Sequence, residues 1–120
     1  MKLFAALGAL NAFLAVAAGA FAAHGLRDRL EPRYLEIFEI GVRYQMYHAL
    51  GLFAVAYFVS RNAPLAAAAG WSMLFGIVVF SGSLYLLALT GASRLGAITP
   101  IGGVAFLAGW ALLGLAALRA

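Results

Sequence analysis

A chain of 120 residues that is 66% hydrophobic and 10% charged lies far from a soluble domain, where about a quarter of residues carry charge, and it has room for one domain only. Its net charge of +4 does not signal nucleic acid, because the basic residues sit mainly at the ends of apolar stretches and not on one solvated face; anionic lipid headgroups are the simpler partner. The absence of cysteine excludes disulfides, thiolate metal sites and cysteine nucleophiles.

Four charge-free stretches fill most of the chain: residues 3–26, 44–60, 62–93 and 95–118. A helix needs roughly 20 mostly apolar residues to cross the hydrocarbon core. Lipid leaves no backbone group a partner, so each crossing must be helical or belong to a closed barrel. The continuous apolar pattern selects helices. The expected fold is therefore an all-α membrane protein, with residues 1–120 forming a single domain of four transmembrane helices in an up-down bundle and an amphipathic segment before the second helix.

The first helix is predicted over residues 3–23, ended by His24-Gly25 in left-handed geometry. Lys2 and the small residues near Ala22 imitate a secretory signal, but the apolar run is longer than a typical signal core, so it is read as the first span. One face of it carries Gly8, Ala12, Ala15, Gly19 and Ala22, a stripe that lets another helix approach closely. Asn11 beside that stripe is expected to bond across to a neighbouring helix. After a polar connection, Pro32 fits the first turn of a helix. Arg33, Glu36, Glu39 and Arg43 then recur at helical spacing opposite Leu35, Phe38 and Val42. This amphipathic stretch either lies on headgroups or turns Glu36, Glu39 and Arg43 toward a wet cavity, and it can run unbroken into the second span.

Residues 61–64 make a tight turn, the third span covers about residues 65–89, a polar loop follows, and the fourth span covers residues 95–118. In the third, Ala69, Gly76 and Ser83 recur every seven residues, and Ser81, Gly82, Ser83 and Tyr85 place hydroxyls midway along the helix. Such hydroxyls bond back to their own helix by default. In the fourth, Thr99-Pro100-Ile101-Gly102-Gly103 predicts either a broken helix of the kind that builds transporter sites or merely a helix start; Ala105 with Gly109 repeats the small-residue spacing. These stripes serve packing within one domain or contact with a second copy of the chain or another membrane protein. Short loops carrying Arg27, Arg29, Arg33, Arg43 and Arg94 on one side, against Lys2, Arg61 and Arg119 on the other, place both termini outside a bacterial inner membrane.

His48, with Tyr44 one turn earlier, and His24 at the end of the first helix are the titratable residues among the spans. If they approach each other they can ligate haem or a metal, or relay protons; otherwise each is a hydrogen-bonded interfacial histidine. No carboxylate stands at helical spacing to complete a zinc or di-iron site, and no arrangement of nucleophile, base and carboxylate specifies catalysis. No metal, cofactor or catalytic residue is assigned.

The segments Gly19-Ala20-Phe21-Ala22-Ala23-His24-Gly25-Leu26, Tyr44-Gln45-Met46-Tyr47-His48-Ala49, Phe80-Ser81-Gly82-Ser83-Leu84-Tyr85 and Thr99-Pro100-Ile101-Gly102-Gly103, in this order, resemble the domain of unknown function 423 family of small bacterial membrane proteins, to which transmembrane protein 256 of animals is similar. The resemblance covers nearly the whole chain and implies a small multi-pass membrane protein, without supplying a mechanism. Its motifs coincide with the polar positions already singled out. His24, Glu36, Arg43, Tyr44, Gln45, His48, Ser81, Ser83, Tyr85 and Thr99 form the candidate ligand site, and Gly8, Asn11, Ala15, Gly19, Gly76, Gly102, Gly103 and Gly109 the packing set. The expected function is a non-enzymatic protein that binds a lipid or small amphiphile, or a scaffold for a membrane complex. The alternatives are a small transporter or channel subunit with His48 and Arg43 on its path, and a haem or quinone module built on His24 and His48.

Overall fold

The computed structural model describes residues 2–120. They form four helices: α1 (Lys2–Leu26), α2 (Pro32–Ser60), α3 (Ala66–Thr90) and α4 (Thr99–Arg119), the last preceded by a 3-10 turn at Ser93–Ala97. Successive helices are antiparallel. Gly8 of α1 lies against Ala49 and Phe53 of α2, whereas Gly19 lies against Val42. Gly51 of α2 meets Met73 of α3 while Gly41 meets Tyr85, and Gly109 of α4 meets Met73 while Gly102 meets Phe80.

The expectation of four membrane-crossing helices is corrected to three. Lys2–Leu26, Ala66–Thr90 and Ser93–Arg119 are long and apolar enough to cross a membrane; α2 is not among them. The physical reason is that a stretch without charge is not the same as an apolar stretch. Tyr44, Gln45, Tyr47 and His48 are uncharged but polar, and Arg33, Glu36, Glu39 and Arg43 occupy the same helix upstream. The amphipathic stretch is no separate segment either, since it forms the first turns of α2, with Pro32 in the opening turn as expected. α2 packs against each of the other three helices, and Phe38, Gly41, Gln45, His48, Ala49, Gly51, Leu52, Val55 and Ala56 are buried along it.

Around that axis the molecule is apolar on the outside as well as within. Phe13, Val16, Val78, Val104 and Leu107 are all more than half exposed, which suits a surface whose solvent is hydrocarbon. Two clusters make up the interior. One joins Phe4, Leu52, Val55, Ala69, Met73, Ile77, Phe106 and Leu113; the other joins Ala22, Leu26, Phe38 and Ala88 near the connection between α1 and α2.

Two local features depart from expectation, and a third decides between two readings. The end of α1 is a π-helical turn, Ala22–Leu26, so His24-Gly25 widens the helix instead of ending it in left-handed geometry; among the described glycines only Gly91 has positive φ, at 72°. A second π turn, Ile77–Ser81, interrupts α3. The proline of Thr99-Pro100 lies in the first turn of α4, so the second of the two readings holds there and the fourth helix is not broken.

Candidate functional site

Most of the buried polar side chains of the helices fall into three hydrogen-bonded groups; apart from them, Ser72 Oγ of α3 donates to the Ala105 carbonyl of α4 at 2.7 Å. In the first, the Tyr85 hydroxyl donates to Gln45 Oε1 at 2.7 Å, Gln45 Nε2 donates to Asn11 Oδ1 at 3.0 Å, and Asn11 Nδ2 donates to the Leu7 carbonyl at 2.9 Å. The chain ties α3 to α2 to α1. Gln45 is the member bonded to two helices other than its own. The expectation that Asn11 bonds across helices is met through it.

The second group centres on the π turn. Ser81 Oγ donates to the Gly41 carbonyl of α2 at 2.8 Å, while Ser83 and Thr99 share a hydrogen bond of 2.6 Å between α3 and α4. Ser83 also donates to the Phe80 carbonyl at 3.0 Å. The Ser81 and Ser83 hydroxyls thus reach neighbouring helices from the π turn and the residues just beyond it, while the Phe80 carbonyl accepts within α3.

The third group surrounds His48. Its Nδ1 lies 2.7 Å from the Tyr44 carbonyl, and its Nε2 lies 3.0 Å from the Trp110 indole nitrogen. A carbonyl only accepts and an indole N–H only donates, so His48 is held as the neutral tautomer with the hydrogen on Nδ1. The ring stacks on Phe106 with centroids 3.5 Å apart and planes 7° from parallel. Both nitrogens are therefore engaged and one face is covered.

Beside His48 opens a cleft of about 420 Å³ between α2, α3 and α4. Tyr44, Tyr47 and His48 form one wall, Phe80 the second, and Gly103, Phe106, Leu107 and Trp110 the third. Glycines sit behind three of these residues, against the rings of Phe106 and Trp110 and against the backbone of Phe80. A Cβ on Gly102 would collide with the Phe80 backbone nitrogen, one on Gly76 with the Phe106 ring, and one on Gly51 would come within 3.2 Å of the Trp110 ring. Gly103 differs, because a Cβ there meets nothing nearer than 3.9 Å. It faces open space.

The predicted site residues separate accordingly. Tyr44 and His48 line the cleft; Gln45, Ser81, Ser83, Tyr85 and Thr99 bond helices together around it. Glu36 and Arg43 are exposed on α2 and line no part of it, which removes Arg43 from any path through the cleft. His24 is exposed at the far end of α1. His48 lies beside Ala49, which packs on Gly8, so about 16 residues of α1, or roughly 24 Å at 1.5 Å per residue, separate the two histidines, and they cannot share a ligand. Of the packing set, Gly8, Asn11, Ala15, Gly76, Gly102 and Gly109 are buried, and Gly19 and Gly103 are half-buried.

The sequence reasoning missed Tyr47, Phe80, Phe106, Leu107 and Trp110 as a group. A signal was present: Tyr44, Tyr47 and His48 stand at i, i+3 and i+4, as do Gly103, Phe106 and Leu107, with Trp110 one turn further.

No solved structure matches the chain. Its sequence relatives are membrane proteins. A UPF0382 membrane protein, YwdK, of Bacillus subtilis is 52% identical over 99% of this chain and 98% of its own length. A UPF0382 membrane protein of Staphylococcus epidermidis is 54% identical over the same shares, and one of Staphylococcus saprophyticus is 53% identical over 94% of each chain. The family model described as "Protein of unknown function (DUF423)" matches residues 18–103, a span that holds all three hydrogen-bonded groups except Asn11 and Trp110, and with those relatives it establishes that this integral membrane protein belongs to the DUF423 family.

Proposed function

We propose that the protein is a non-enzymatic membrane protein that takes the apolar part of a lipid or other small amphiphile into the cleft between α2, α3 and α4. The cleft itself carries this reading. Its volume of about 420 Å³ lies within the roughly 300–1,000 Å³ of small-molecule sites, and no charged residue lines it. Leu107 at 72% exposure and Tyr47 at 52% leave it open to the surroundings, which in a membrane are lipid chains. The engaged nitrogens of His48 and the distant His24 give a paired-histidine haem site no support in this geometry.

The test is native mass spectrometry of the full chain extracted from its own membrane, compared with Gly103→Leu, which places a side chain in the open space without striking a neighbour. A discrete amphiphile retained by the parent and lost in the variant is the expected result. The same retained mass on both, or none on either, overturns the reading.

The same proposal places the chain in the bacterial cell membrane with the end bearing Arg27, Arg29, Arg33 and Arg94 toward the cytoplasm. Lys2, Arg61 and Arg119 mark the opposite end, which α2 reaches packed against α1, α3 and α4 and not as an apolar span of its own. Labelling in intact cells should then reach Ser60→Cys but not Ser93→Cys; the reverse pattern inverts the assignment.

A further inference from the structure

We infer that the occupant of the cleft is a polyprenyl chain, a conclusion that rests on the reading of the cleft as an amphiphile site. The chemistry of the walls carries it. Six of the eight lining residues are aromatic, His48 included, and none is charged. The polar atoms of His48 and Trp110 are spent on each other and on the Tyr44 carbonyl, so the wall has no donor or cation of theirs to offer a head group. The Tyr44 and Tyr47 hydroxyls are the polar groups left among the lining side chains, so what enters is an uncharged, mainly hydrocarbon chain.

The rigidity of the walls says which hydrocarbon. The Phe106 ring is pressed on Gly76 and against the His48 ring, and the Trp110 ring lies on Gly51 and is bonded to His48. These rings cannot rearrange to follow a flexible guest. A saturated acyl chain loses rotational freedom at every bond when it enters such a slot, whereas a chain with a double bond every fourth carbon is already restricted, so its ordering costs less. Its planar trisubstituted alkenes also present faces to the rings, as aromatic pairs do. Position agrees with this: Phe80 lies in the π turn midway along α3, and a site at that depth meets chains and not heads.

The experiment uses the full chain with Trp71→Phe, in which Trp110 is the remaining tryptophan and the aromatic contact between Phe4 and position 71 is kept. In detergent micelles, 12-bromododecan-1-ol quenches Trp110, and three alcohols with the same main-chain length compete for the place: farnesol, hexahydrofarnesol and dodecanol. Farnesol should restore emission at a concentration threefold or more below dodecanol, with hexahydrofarnesol nearer to dodecanol. Equal displacement by all three overturns the polyprenyl assignment and leaves the amphiphile site standing. Quenching that does not saturate, and that is unchanged in Gly103→Leu, overturns both.

Discussion

The seam between α1 and α2 and the junction of α2 with α3 and α4 both rest on glycine, yet they close differently. At the seam, Gly8 brings α1 to within van der Waals range of the Ala49 carbonyl, and buried Ala15 and Ala22 continue the contact. The Ala49 backbone meets Gly8 with the Phe53 ring beside it, and no residue of α1 lines the cleft. At the junction, Gly51, Gly76 and Gly102 receive rings or the backbone of a ring-bearing residue. Large side chains seated on small ones leave a gap beside them, and that gap is the cleft. Small residues in a membrane helix thus do not by themselves specify a tight seam; the partner across from them decides whether the contact closes or opens.

Substitutions can break this comparison, and the largest effect should come from the junction. Gly102→Ala drives a methyl group into the Phe80 backbone nitrogen, where neither side can yield, and should cost about 3 kcal/mol, read as a fall in the midpoint of thermal unfolding in detergent. Gly8→Ala at the seam should cost about 2 kcal/mol, since the Ala49 carbonyl at 2.9 Å is backbone but the Phe53 ring beside it can turn. If Gly8→Ala proves the costlier, the seam and not the junction sets the fold.

Gln45→Leu removes both hydrogen bonds that link α1 to α3 through α2. At about 0.6 kcal/mol for an average bond between membrane helices, the loss should be about 1 kcal/mol, and a double-mutant cycle with Tyr85→Phe should show coupling. Trp110→Phe keeps the ring and removes one bond to His48. It should cost about 0.6 kcal/mol and blue-shift no other tryptophan, leaving Trp71 as the only emitter.

Much of this arrangement was legible in the chain. The apolar composition announced a helical membrane protein, Pro32 marked the start of α2, and the lack of any breaker across residues 33–60 announced its continuity. Gly8, Gly76 and Gly109, chosen for their spacing, and Gly102, singled out beside Pro100, are all buried. The number of apolar spans was misread because Gln45 and His48 carry no charge yet are strongly polar. They are tolerated in α2 because Asn11, Tyr85 and Trp110 complete their hydrogen bonds, and those partners lie between 34 and 62 residues away in sequence. The π turns were invisible for a related reason. Nothing in the composition of Ile77–Ser81 differs from ordinary helix; what fixes the turn is the Gly41 carbonyl waiting for Ser81 across the interface.

That π turn also sets a phase. A π turn is an α-helix carrying one extra residue, and each residue advances the helical wheel by about 100°. Ahead of the turn, Ala69, Gly70 and Met73 are the residues α3 turns inward; beyond it, Ser83, Leu87 and Ala88 take that place. The two halves of α3 are thus out of step by one residue, and deleting one residue within the turn would bring them into step, swinging the Tyr85 hydroxyl off Gln45 and Ser83 off Thr99 together.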